Sequence, residues 1–188
     1  MKSIQKYFLA IVPPTEILER AESIKVEIRE KFGVKYALKS PAHITLKMPF
    51  NYNEAKEEIL IGKIGELLKQ QAPFSVRIFG VGTFGNRVIF MDIDKSKELE
   101  TIQNALKAFC KKELNLVDEL SDRNYHPHMT LAFKDLKPNS FPDVLELVRK
   151  RSFKTEFSAA ELVLLKRIEG RWVLYRSIPF GEIFSGKN

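Results

Sequence analysis

The stretch His128-Met129-Thr130-Leu131, set inside YHPHMTLAF (residues 125–133), repeats a pattern met earlier as His43-Ile44-Thr45-Leu46 inside AHITLKMPF (residues 42–50). All three histidines of the chain, His43, His126 and His128, fall in these two stretches. Both read as strands by alternation, and strand side chains point to opposite faces in turn. His43 and Thr45 therefore share one face, with Ile44 and Leu46 on the other. His128 and Thr130 likewise share a face, opposite Met129, Leu131 and Phe133. The apolar faces suit helices packed behind them. The His/Thr faces suit a polar cleft.

Around these strands the pattern alternates between the two periods of regular structure. Lys6 to Val12 (KYFLAIV) predicts a buried strand ended by Pro13-Pro14. Thr15 opens a helix to about Phe32, with Ile17, Ala21, Ile24 and Ile28 at helical spacing and Gly33 as its stop. Lys35 to Lys39 is expected to be extended. Asn53 opens a second helix through about Lys69, with Leu60, Ile64, Leu67 and Leu68 facing inward. Phe74 to Phe79 and Arg87 to Ile93 predict strands joined as a hairpin through VGTFGN. Leu99, Ile102, Leu106 and Phe109 mark a third helix from about Ser96 to Leu114. A polar connection, the His126–Phe133 strand and a fourth helix at about Pro142 to Lys150 follow. Strands at Lys154–Ser158, Glu161–Arg167 and Trp172–Ile178 close the chain, the last two as a hairpin.

Each half of the chain thus holds strands, helices and one His-x-Thr-Leu. The expected fold is α+β: a bilobal, pseudo-twofold arrangement of two mainly antiparallel sheets lining a central cleft, with helices outside. It forms one domain over residues 1–188, its lobes interleaved, with approximate halves 1–93 and 94–188.

Composition fits that reading. The 188 residues suit one sizeable domain, and 44% hydrophobic residues with fourteen Phe supply a core. The formal charge of +7 favours anionic ligands by long-range steering. Cys110 is the one cysteine, so no internal disulfide forms, and it reads as a small core residue on the third helix. The apolar run near the N-terminus has strand length, shorter than a signal core or a membrane span. A cytoplasmic monomer without membrane attachment is expected.

If the two His/Thr faces meet, the cleft holds two imidazoles and two hydroxyls. Histidine titrates near about pH 6.5, so one ring can take a proton while another gives one. Displacement at a phosphodiester needs both acts, each worth about 10²–10⁴-fold. Thr45 and Thr130 can donate to the non-bridging oxygens, where charge builds. No metal or other cofactor is needed. Lys47 shares the parity of His43 and could hold a phosphate; Lys134 lies at the end of its strand. Arg87, Lys166 and Arg176 are further cationic candidates. Tyr125, Phe84, Trp172 and Tyr175 could stack on a base. His126 reads as a supporting residue beside Pro127.

Two other readings compete. His43, His126 and His128 together would supply three nitrogen ligands for a zinc hydrolase, which leaves the paired threonines unexplained. A nucleotide- or RNA-binding module without turnover would use the same cleft. A serine nucleophile elbow and a GxxxxGK[ST] loop are both missing from the sequence.

HITL at 43–46 and HMTL at 128–131, with GVGTFGNRVIF between them and the closing LLKRIEGRWVLYRSIPF hairpin, resemble the 2H phosphoesterase superfamily, the 2′-5′ RNA ligase-like proteins. The likeness covers nearly the whole chain. It implies a bilobal α+β fold around a concave, positively charged cleft and metal-independent chemistry on 2′,3′-cyclic phosphates or 2′-5′ phosphodiester linkages of nucleotides or RNA. By motif position it makes His43 and His128 the acid/base pair and Thr45 and Thr130 the phosphate contacts. One departure stands out: the ligase and cyclic phosphodiesterase branch commonly has arginine after the second Thr-Leu-Ala, where this chain has Phe133.

Overall fold

The computed structural model describes residues 3–181. The chain begins with β1 (Ile4–Ile11), α1 (Thr15–Phe32) and β2 (Ile44–Asn53), followed by α2 (Glu57–Leu68), β3 (Phe74–Phe84) and β4 (Val88–Ile93). Next come α3 (Lys97–Leu114), α4 (Leu120–Arg123), β5 (His128–Ala132) and α5 (Phe141–Arg151). β6 (Thr155–Ala159), β7 (Glu161–Ile168) and β8 (Arg171–Pro179) complete it. The fold is α+β, with two antiparallel four-stranded sheets in the orders β2-β1-β7-β8 and β5-β4-β3-β6.

Each motif strand is the edge of its sheet, and each arrives by the same route. β1 leads through the 18-residue α1 to its antiparallel neighbour β2. β4 leads through the 18-residue α3, and then α4, to its antiparallel neighbour β5. The two long helices form for local reasons. Ile17, Ala21, Ile24 and Ile28 make one buried stripe on α1, and Gly33 at φ 70° ends it by giving its N–H to Arg29. On α3, the Ser96 side chain caps the Leu99 N–H at 3.2 Å, and Asn115 at φ 53° ends the helix. The sheets do not follow the midpoint of the chain. The first takes β7 and β8 from the late sequence, and the second takes β3 and β4 from the early sequence.

A continuous apolar core joins the backs of both sheets to the helices. It includes Tyr7, Leu9 and Ile11 of β1, Ile44 and Leu46 of β2, Met91 of β4 and Met129 and Leu131 of β5. A smaller cluster of Phe8, Ala10, Val163 and Leu165, edged by Val12 and Trp172, covers the opposite face of the first sheet.

Most expected elements are present, and three depart from expectation. Lys35 to Lys39 is not extended, because Tyr36–Lys39 winds into one 3₁₀ turn. The buried Lys25 ammonium draws in the carbonyls of Ala37 and Ser40 at 3.2 and 2.8 Å, which folds that turn onto α1. β3 runs on to Phe84, through residues assigned to the hairpin loop, because Gly80 to Phe84 keep pairing with β4. The polar connection holds the short helix α4, closed by a capping box between Glu119 and Asp122.

Candidate active site

The repeated tetrapeptide has a structural meaning that alternation alone does not reveal. In β2, Thr45 lies opposite Ala10 and Lys47 opposite Leu9, so Leu46 is an extra residue between them. In β5, Thr130 lies opposite Phe90 and Ala132 opposite Ile89, so Leu131 is the extra residue. Both motif leucines are thus bulge residues, and both are buried. A bulge bends the strand just past the Thr and re-aims the side chains beyond it.

The re-aiming corrects the expectation for Lys47. Strict alternation puts its ammonium beside His43 and Thr45. After the bulge it shares the core face with Leu9, where it is 1% exposed and ion-paired to the equally buried Asp122. Asp122 also accepts the Met48 and Glu119 N–H groups, and the Lys47 ammonium donates to the Val117 carbonyl. Lys47 therefore anchors the α4 segment behind the cleft. Ala132 occupies the equivalent place in β5 and is fully buried.

The two motif histidines are held alike. His43 Nδ1 lies 2.7 Å from the Pro41 carbonyl, and His128 Nδ1 lies 2.7 Å from the His126 carbonyl. A carbonyl only accepts, so Nδ1 carries hydrogen in both rings and Nε2 is left to exchange protons. His43 packs on Phe8 at 4.7 Å between ring centres, and Phe8 on Trp172 at 4.7 Å. His128 packs between Phe84 and Phe90, each at 5.0 Å. Gly82 makes that packing possible, since any Cβ there would overlap the Phe90 ring.

Burial lowers the pKa of both histidines. His43 is pushed down to about 4, chiefly by desolvation, with the Lys25 and His128 charges adding to it against the Pro41 hydrogen bond. His128 is lowered by desolvation and by the His126 charge, against its carbonyl bond and Asp92. The effect of His128 on His43 ties the two lobes together electrostatically. β2 and β5, the two motif edges, also approach each other.

A cavity of about 60 Å³ opens beside His128, lined among others by Thr45, Phe84, Asn124, Tyr125 and His126. One threonine from the first motif thus meets the histidine of the second. Thr130 is half-buried on the His128 side of β5. The Tyr125 hydroxyl is buried with no hydrogen-bond partner among the described residues, and burial raises its pKa. His126 is exposed and bonds Asp92 at 3.1 Å through Nε2.

The other candidates divide. Lys166 is buried among Glu54 and Glu57, and Tyr175 donates to Glu57 at 2.5 Å, so neither is a free cleft contact. Arg176 pairs with Glu58 at 2.9 Å. Trp172 stays beside His43 through Phe8. Cys110 is buried, as expected of a core residue. Among the described residues, no three His, Cys, Asp or Glu side chains are grouped to hold a metal ion, so the three-histidine reading finds no support. Among the described residues, no helix is long and apolar enough to cross a membrane.

The sequence pattern of the 2′-5′ RNA ligase superfamily matches residues 13–171. The chain belongs to the 2′-5′ RNA ligase superfamily. A Bacillus mycoides (strain KBAB4) protein named "Putative phosphoesterase" is 27% identical over 182 residues, covering 94% of this chain and 98% of its own. A Bacillus anthracis (strain A0248) protein of that name is 28% identical with the same coverage. The crystal structure of TT0787 of Thermus thermophilus matches with TM-score 0.67 at 18% identity, over 95% of this chain and all of the other. That of E. coli LigT complexed with 3′-AMP matches with TM-score 0.66 at 18% identity, over 96% of this chain and all of the other. At these identities the structural likeness is one of fold.

Several residues of this superfamily member were not marked by its sequence. Lys25 lies on α1, far from the motifs along the chain, and Phe8 and Phe90 read as ordinary core. Their roles depend on which strand lies beside which. At Phe133, where arginine is common in one branch, the ring packs edge-on against Tyr36 at 5.1 Å.

Proposed function

We propose that the protein is a metal-independent phosphodiesterase acting on 2′,3′-cyclic phosphates or 2′-5′ phosphodiester bonds of nucleotides or RNA. The observation that carries this reading is the matched tethering of His43 and His128. Each ring is fixed by an Nδ1 bond to a carbonyl and leaves Nε2 as its proton-exchanging atom. The names of the Bacillus relatives and the nucleotide in the LigT structure point the same way.

In the forward reaction one neutral imidazole takes a proton from water as the water oxygen bonds to phosphorus. The bond from phosphorus to the ribose oxygen breaks, and the other, protonated imidazole gives that oxygen its proton. In this reading His43, pushed down to about 4, serves as base, and His128, lowered by burial against its carbonyl bond and Asp92, as acid. Thr45 and Thr130 donate to the non-bridging oxygens. Tyr125 walls the His128 side of the pocket against the base or ribose.

The test is a panel of nucleoside 2′,3′-cyclic phosphates and 2′-5′-linked dinucleotides, with product regiochemistry read by NMR. His43→Ala and His128→Ala should each lower kcat by at least about 10²-fold while the protein stays folded. Full activity in either variant overturns the paired roles. Chelator should leave the rate unaltered, and a loss restored by added zinc would overturn metal independence.

A further inference from the structure

Four cations, Lys39, Lys134, Arg167 and Arg171, gather about the Tyr36 turn, which leads into His43. Lys134 Nζ donates to the Tyr36 hydroxyl at 3.0 Å and lies 4.5 Å from the centre of its ring. Lys39 Nζ lies 4.8 Å from the same ring centre. The Arg167 charge also acts on the Tyr36 phenol, whose pKa is lowered first by the Lys134 bond. Arg171 donates to the Leu38 carbonyl of the same turn at 3.2 Å. None of Lys39, Lys134, Arg167 and Arg171 forms an ion pair among the described residues. Asp135, next along the chain, turns one oxygen to the backbone: its Oδ2 accepts the Lys35 and Tyr36 N–H groups at 2.8 and 2.9 Å, while its buried Oδ1 has no hydrogen-bond partner among the described residues.

Like charges gathered this way repel, and an anion placed among them relieves that repulsion. The backbone is also committed to it. Lys134 adopts φ 56°, the left-handed region that lysine rarely enters, directly after β5. That conformation turns its side chain back onto the Tyr36 turn, which leads into His43. Arg167 continues the group toward the reacting ring, lying 5.9 Å from Trp172, which packs on Phe8, which packs on His43. The rim therefore offers cations to a group that enters the cleft but is not itself the reacting phosphate.

Resting on the phosphodiesterase reading, we infer that Tyr36, Lys39, Lys134 and Arg167 form a second phosphate subsite. It recognises a phosphoryl group of the substrate other than the one His43 and His128 act on. The second group is either a 5′-phosphate of the reacting nucleotide or the next phosphodiester of an RNA strand. Both present the same charged oxygens, so the experiment separates them.

The experiment uses three compounds with one reacting group: a nucleoside 2′,3′-cyclic phosphate with a 5′-hydroxyl, the same compound with a 5′-phosphate, and a dinucleotide ending in it. The wild type should show a kcat/KM about tenfold higher for at least one compound carrying the second phosphate, as expected for one charge-assisted contact. Whichever compound gains names the source. Lys134→Asn suits the left-handed backbone while removing the charge, and Arg167→Gln tests the cluster away from that backbone. Both should bring the ratio close to one, and Lys134→Arg should restore part of it. A wild type without preference, or variants that keep it, overturns the subsite.

Absence of turnover on all three compounds would sink the phosphodiesterase reading instead. The subsite is then read by fluorescence anisotropy with an oligonucleotide ending in a 3′-phosphate. Each charge removed should flatten the dependence of log K on log salt by about 0.7 for a single strand. An unaltered slope in both variants overturns the inference there too.

Discussion

His43, just before β2, and His128, which opens β5, border different sheets, yet each ring is tied by Nδ1 to the carbonyl two residues before it, at 2.7 Å in both cases. The bond sets which nitrogen carries hydrogen and which way the ring faces. It does so with backbone atoms alone, so neither ring depends on a carboxylate for its orientation. The motif bulges at Leu46 and Leu131 add to the match, since each strand bends just past its threonine.

The pH profile follows from the lowered pKa values. In the proposed mechanism the working form of the pair carries one proton, held by His128 because His43 is down at about 4. His128 is itself lowered by burial, so its proton is lost below the ordinary histidine range. Hence kcat/KM should peak on the acid side of pH 6.5 and fall about tenfold per unit above it. A bound phosphate anion favours imidazolium, so the kcat profile should lie at higher pH than that of kcat/KM. Asp92→Asn, which removes a charge favouring protonated His128, should move the kcat/KM limb to lower pH. A kcat/KM plateau extending past pH 8 would contradict the assignment.

Gly82 is predicted to be intolerant of a side chain. A Cβ there overlaps the buried Phe90 ring, which packs directly on His128. Gly82→Ala should cost about 1–3 kcal/mol in stability through overpacking. Displacing His128 by a fraction of its working geometry should also lower kcat by about 10–100-fold. Urea unfolding and steady-state kinetics on the same preparation check both. Wild-type kcat would show that the Phe90 ring does not position His128.

The Lys47–Asp122 pair should behave as a buried ion pair. Asp122→Ala leaves the Lys47 ammonium at 1% exposure with Asp118, 3.8 Å away, as its remaining ion partner, a loss of up to about 3–5 kcal/mol. It also frees α4, which walls the cavity beside His128 through Ser121 and Asp122, with Asn124 just after it. KM should therefore rise as stability falls. Lys47→Met combined with Asp122→Leu should recover much of the stability, since no charge then stays buried. Denaturant midpoints for the single and double variants decide it. A single variant as stable as the wild type would mean the pair is solvated.

Cys110 should be unreactive in the folded protein. Burial pushes its thiol up to about 12, so little thiolate exists at neutral pH. A chromogenic disulfide reagent should label it slowly in buffer and rapidly in urea. Fast labelling of the folded protein would show that α3 opens readily.

Much of the fold was legible along the chain. The stripes of α1 and α3 are local, spaced by helical geometry, and their caps at Gly33 and Ser96 stand in the sequence. The paired His-x-Thr-Leu marked the four candidate site residues because two short strands each expose a polar face. Lys47 shows where such reading stops. Its direction depended on one unpaired leucine opposite β1, and a bulge belongs to the pairing of two strands rather than to either one. The Tyr36 turn was misread for a similar reason. It curls around Lys25, a residue of another element whose ammonium draws its carbonyls inward.

The identity of the strands, the helices and the candidate acid/base pair was set by residue order, because periodicity and side-chain chemistry are properties of neighbours along the chain. Sheet order, the aiming of Lys47, the shielding of His43 and the cation cluster at Tyr36 arose only on folding. Each of these is a relation between residues distant in sequence, where desolvation and strand register act across space.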